Sequence, residues 1–128
     1  MDRSQEITKE LTRALQRLDA ARKELAESLM TGQTLTSELV DRVQKAEGRY
    51  EIWSLIGKAH GTHAKKVGVT ADMAVRRAIV IGRKRCLDLI LSGPSGSSSQ
   101  THRALSEAKL SAVRDLYCDL EGLENSLD

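Results

Sequence analysis

The sequence has few aromatic residues and almost no proline. Phe is absent, Pro occurs once, and Tyr50, Trp53 and Tyr117 are the only aromatic side chains. So few bulky groups leave little to anchor a β-sandwich or to line an aromatic pocket, whereas the abundant Leu, Ala, Glu, Lys and Arg are good helix formers. The composition therefore predicts an all-α fold.

Further absences narrow the class of protein. No apolar run approaches the roughly 20 residues of a membrane-spanning helix, and the charged residues 1–9 lack the apolar stretch of a secretion signal. Cys86 and Cys118 are isolated, outside any CxxC pattern, and too few for a disulfide framework. These features indicate a reducing, cytoplasmic compartment.

Apolar residues recur at alternating spacings of four and three along two long segments, which places them on one face of a helix. In the first segment, from about Ser4 to Met30, they are Ile7, Leu11, Ala14, Leu18, Ala21 and Leu25. In the second, after Thr34 or Thr36, they are Leu39, Val43, Ala46, Tyr50, Trp53, Gly57 and His60. Thr31-Gly32 ends the first helix, and the short link predicts an antiparallel helical hairpin. These two rows of apolar residues, called the seams, either pack on each other or are shared between copies of the chain. We expect an oligomeric helical bundle.

The rest of the chain predicts two more helices. Three glycines in residues 57–68 should end or bend the second helix. A third helix then runs from near Thr70 to Leu91 or Ser92, with a strand at residues 79–81 as the alternative. Residues 93–101 have the composition of a flexible linker, and residues 102–128 form an amphipathic fourth helix. We therefore divide the chain into a helical core domain (1–92), the linker and this helix, which docks on its own bundle or on a neighbouring copy.

The sequence contains no recognisable catalytic or cofactor motif. His60 and His63 have a spacing that can hold one side of a metal, but no Cys, Asp or Glu lies between Glu51 and Asp72 to complete the site. The glycines match neither a phosphate-binding loop nor a dinucleotide fingerprint. We expect a protein without enzymatic activity, metal or cofactor.

The charge is distributed unevenly. The formal net charge is +2, but residues 58–85 include eight basic residues and one acidic residue. Residues 93–128 include three basic and six acidic residues. Because Arg and Lys at helical spacing can meet successive phosphates, we predict a protein that binds a nucleic-acid duplex, DNA or RNA, as an oligomer. The predicted contacts are Arg42, Lys45, Arg49, Lys58, His60, His63, Lys65, Lys66, Arg76, Arg77, Arg83 and Lys84.

Other interpretations remain open. Single-strand binding is disfavoured because single-strand readers stack bases on exposed aromatic side chains. The basic residues could instead form a solvated face, or a groove in a helical adaptor or chaperone that binds a partner protein. A third interpretation is a peripheral membrane protein that uses the third helix on an anionic surface.

Residues 64–70, Ala-Lys-Lys-Val-Gly-Val-Thr, resemble the first helix and turn of helix-turn-helix regulators. The resemblance implies that the third helix reads DNA. That pattern has apolar residues near positions 74 and 77, where this chain has Ala74 and Arg77, so it assigns no family.

Overall fold

The structure, a computed structural model, describes residues 3–32, 37–92 and 107–126. Across these residues the chain forms helices α1 (Arg3–Met30), α2 (Ser37–Ala64), α3 (Ala71–Ser92) and α4 (Glu107–Ser126), and no strand. The predicted all-α fold is confirmed. The alternative strand at residues 79–81 is wrong, because these residues lie inside α3. The predicted linker at 93–101 and the start of the predicted fourth helix lie outside the described residues.

The hairpin of α1 and α2 is held together by the predicted seams. Ile7, Ala14, Leu18 and Ala21 of α1 are buried, and α1 packs along α2, where Val43 is buried as well. Gly32 follows α1 with a φ of 73°, a conformation that glycine adopts at little cost. Because the seams pack on each other within one chain, an oligomer requires another surface, and self-association stays a prediction.

Helix α2 is the centre of the bundle, since it packs against α1, α3 and α4. Ile52 and Ile56, which are not part of the predicted seam, are buried in the same core as Val75 and Ile79 of α3. The glycines at 57 and 61 lie inside α2 and do not end it, and the helix continues to Ala64. The second buried face of α2 thus holds the third helix against the hairpin.

The last two helices complete the core. Thr70 caps α3, because the Met73 N–H donates to Thr70 Oγ1 (3.2 Å). Five apolar residues of α4 are buried, and the helix packs against α2 and α3; they are Leu110, Ala112, Val113, Leu116 and Leu120. The fourth helix therefore docks on its own bundle. No helix among the described residues is long and apolar enough to cross a membrane.

Candidate nucleic-acid interface

Exposed cations lie in the turn between α2 and α3 and along one face of α3. Lys65 and Lys66 are exposed in the turn, in which Gly68 has a φ of 82°. Arg77 and Lys84 are exposed on α3, seven residues apart, so they share one face of the helix. Lys65, Lys66, Arg77 and Lys84, together with His63 at the end of α2, are called the corner surface below.

The corner surface has a positive potential that acts on His63. Burial lowers the pKa of His63 below its usual 6.5, and the nearby charges of Lys66 and Arg77 lower it further. The Nδ1 atom of His63 is buried and has no hydrogen-bond partner in the described part of the chain. The imidazole is therefore neutral at neutral pH, and an anion at this surface would favour its protonated form.

Among the described residues, no carboxylate forms an ion pair with the four exposed cations of the corner surface. The ion pairs in this part of the chain involve other cations. Asp72 is the only acidic residue between positions 58 and 85. These side chains are consequently positioned to meet an anionic ligand.

Three of the predicted contact residues form ion pairs between helices instead. Arg42 Nη1 lies 2.8 Å from Glu24 Oε2 of α1, and Arg49 Nη1 lies 3.8 Å from Asp119 Oδ2 of α4. The third, Arg83, forms an ion pair with Glu124 of α4, and its guanidinium lies over the ring of Tyr117 in the same helix. The hydrogen bond from Arg42 to Glu24 is the main reason that the pKa of Arg42 is raised. These cations join helices within the chain.

Lys45 lies in a second basic region, away from the corner surface. It lines a groove of about 360 Å³ between α1 and α2, called the hairpin groove. The cations at its edges are Arg17, Arg42, Lys45 and Arg49, and the small side chains in it are Ala20, Ala21 and Ala46. Sequence analysis missed Arg17, because only the antiparallel pairing of α1 and α2 brings it beside the basic residues of α2.

The remaining predicted residues occupy other positions. Lys58 is exposed on α2, and His60 is half-buried beside Gln5, Thr8 and Lys9 of α1. Arg76 is half-buried and already interacts within the chain. In the described ranges, no group of three or more His, Cys, Asp or Glu side chains could hold a metal ion. Among the described residues, His60 and His63 are therefore not part of a group that could hold a metal ion.

A cleft of about 400 Å³ lies between α1 and α4, above α2. Its apolar lining comes from Trp53, Leu116, Leu120 and Leu123, and its charged lining from Glu6, Lys9, Glu10, Arg49 and Asp119. Sequence spacing could not indicate this cleft, because α4 comes beside α1 and α2 only when the bundle forms.

No protein-family model, no curated protein and no solved structure matches this chain.

Proposed function

We propose that this is a non-catalytic protein that binds a nucleic-acid duplex, DNA or RNA, by contacting its phosphates through the corner surface. The observation that carries the proposal is the set of four exposed cations, two in the turn before α3 and two along α3 itself, which form no ion pair with the described residues. Contacts between cations and phosphates supply most of the affinity of non-specific duplex binding.

The spacing of the cations suits a backbone ligand. Arg77 and Lys84 are separated by two helical turns, about 10 Å along the axis, which corresponds to about three base-pair steps of a duplex. Lys65 and Lys66 continue the cationic surface beyond the beginning of α3. A phosphate backbone that follows α3 would thus meet several cations in succession.

The aromatic residues favour a duplex over a single strand. Trp53 is buried, and Tyr50 and Tyr117 are half-buried against the core. None of the three aromatic side chains is presented for stacking on unpaired bases, which is how proteins hold single strands without sequence preference.

The proposal is tested by fluorescence anisotropy with labelled DNA and RNA duplexes at several salt concentrations. Affinity should fall log-linearly with salt, and the double variant Lys65→Gln/Lys66→Gln should lower the slope by roughly two, at about 0.9 per lost contact on DNA. The control variant Arg13→Gln/Lys23→Gln removes two exposed cations of α1 and should keep the slope. A single strand of equal length should bind more weakly.

Two outcomes would contradict the proposal. One is a wild-type protein that binds no duplex at about 50 mM salt, a concentration at which phosphate contacts are strong. The other is a control variant that loses as much affinity as the variant of the corner surface. The proposal includes self-association, which light scattering would measure as a mass above the 14.1 kDa of one chain.

A helical adaptor or chaperone is the second candidate, and the cleft between α1 and α4 favours it. The cleft combines charges of both signs with the half-buried Leu123, which suits an amphipathic helix or peptide, whereas its other apolar lining residues are buried. If the duplex experiments fail, this function leads. A Lys9→Glu variant should then weaken partner binding, and the variant Lys65→Gln/Lys66→Gln should not.

A further inference from the structure

A row of apolar side chains follows the outer face of α3. Met73, Val80, Leu87 and Leu91 are all exposed. They are separated by seven, seven and four residues, so at about 100° per residue they lie within about 40° of one another around the helix. The solvent face of a bundle helix is ordinarily polar. These four residues are called the outer row.

Cations accompany most of the outer row, whereas exposed Asp88 lies about 60° from Leu91 near its end. Arg77 and Lys84 lie beside it on α3, where their helical positions differ from those of Met73 and Leu91 by about 20 to 40°. Beyond the beginning of α3, Lys65 and Lys66 precede a fully exposed Val67. The surface therefore combines apolar and positively charged groups, which fits a partner that is both apolar and anionic.

Neither a second copy of the chain nor an acidic helix matches this surface well. Two α3 helices facing each other would bring the cations of both copies together. In a contact with an acidic helix, Arg77 and Lys84 would be buried beside the apolar residues, and removing paired charges from water is costly. At a bilayer surface, by contrast, their aliphatic stems lie against the acyl boundary while the charged groups reach the headgroups.

We propose that the outer row and its neighbouring cations bind the surface of an anionic phospholipid bilayer as a peripheral contact. The apolar residues insert at the acyl boundary, and the cations bind lipid phosphates and carboxylates. This inference does not rest on duplex binding: a duplex would use the cations alone, whereas the bilayer requires the outer row as well.

The test is co-sedimentation with vesicles of about seven parts phosphatidylcholine to three parts phosphatidylserine, an anionic composition that attracts basic segments. Leu87 and Leu91 are 38% and 76% exposed, and Leu15 and Leu29 of α1 are 41% and 56% exposed. The variant Leu87→Gln/Leu91→Gln should bind these vesicles about tenfold more weakly, because apolar insertion is lost. The matched control Leu15→Gln/Leu29→Gln should bind like the wild type.

Companion measurements separate the two proposals. The variant Arg77→Gln/Lys84→Gln should lose binding to both vesicles and duplex, whereas Leu87→Gln/Leu91→Gln should keep its duplex affinity. Circular dichroism checks folding, and Met73→Gln/Val80→Thr provides a second variant of the outer row. The inference is overturned if the wild type does not bind the anionic vesicles, if it binds pure phosphatidylcholine equally well, or if the α1 control loses as much binding.

Discussion

Helix α3 packs closely against α2 at Gly82. A Cβ atom on this residue would lie 2.4 Å from Ile56 Cγ1 and 2.5 Å from Ile56 Cδ1. Ile56 is completely buried and branched at Cβ, so it cannot turn away without displacing its neighbours. The substitution Gly82→Ala therefore tests how tightly α3, which carries the corner surface and the outer row, is held against α2.

Two effects of opposite sign determine the result. Replacing glycine by alanine inside a helix contributes about 1 kcal/mol of stability, whereas overpacking a core costs about 1 to 3 kcal/mol. Because the overlap involves two atoms of a buried side chain, we expect the upper part of that range and a net loss of about 1 to 2 kcal/mol. Gly61 of α2 is the control, since a Cβ there would meet nothing within 4 Å. Gly61→Ala should stabilise the protein by about 0.5 to 1 kcal/mol.

Urea unfolding followed by circular dichroism measures both changes. With a slope of about 2 kcal/mol per molar urea, the midpoint should fall by roughly 0.5 to 1 M for Gly82→Ala and rise for Gly61→Ala. If Gly82→Ala is as stable as the wild type, α3 does not approach α2 as closely as described. If both variants are destabilised, the loss does not come from the overlap at Ile56.

Three further predictions follow from single residues. Because the pKa of His63 is lowered, the unfolded chain binds its proton more readily. Stability should therefore fall as the pH drops below 6.5. Duplex affinity should rise over the same range, because bound phosphates favour the protonated imidazole. His63→Gln should flatten the pH profiles of both stability and duplex affinity. Glu124→Gln releases Arg83 from its ion pair and should raise the salt slope of duplex binding by up to about 0.9, read by anisotropy. A thiol reagent should modify exposed Cys118 in the native protein, but buried Cys86, whose pKa burial raises to about 11, only after unfolding.

The sequence was sufficient to predict the helices and the hairpin, because α1 buries one face. Its seam of Ile7, Ala14, Leu18 and Ala21 is regular, and a single buried face produces a single periodic pattern. Helix α2 is different, since its burial against three helices adds Ile52 to the buried set. A central helix with two buried faces does not show one clean seam, so the positions of α3 and α4 could not be derived from spacing.

The basic residues of the candidate site could be predicted from the sequence, but their arrangement could be predicted only in part. The sequence indicated the basic window that contains Lys65, Lys66, Arg77 and Lys84, and these side chains are exposed. It could not indicate that Arg49 would meet a carboxylate of α4, because that partner lies far along the chain and comes near only when the bundle forms. Local charge counting thus identifies basic residues without telling which of them the fold neutralises.

Carboxylates of the fourth helix pair with two of the predicted contact residues. Arg49 of α2 pairs with Asp119, and Arg83 of α3 pairs with Glu124. These ion pairs neutralise the positive charge on the sides of α2 and α3 that face α4. The outer face of α3 and the turn before it lie away from these carboxylates and keep their cations, with the outer row beside them. A polyanion that approaches the protein should therefore bind α3 and the turn rather than α2. On these two proposals, a duplex and a bilayer should compete for one surface, and variants of the outer row should distinguish them.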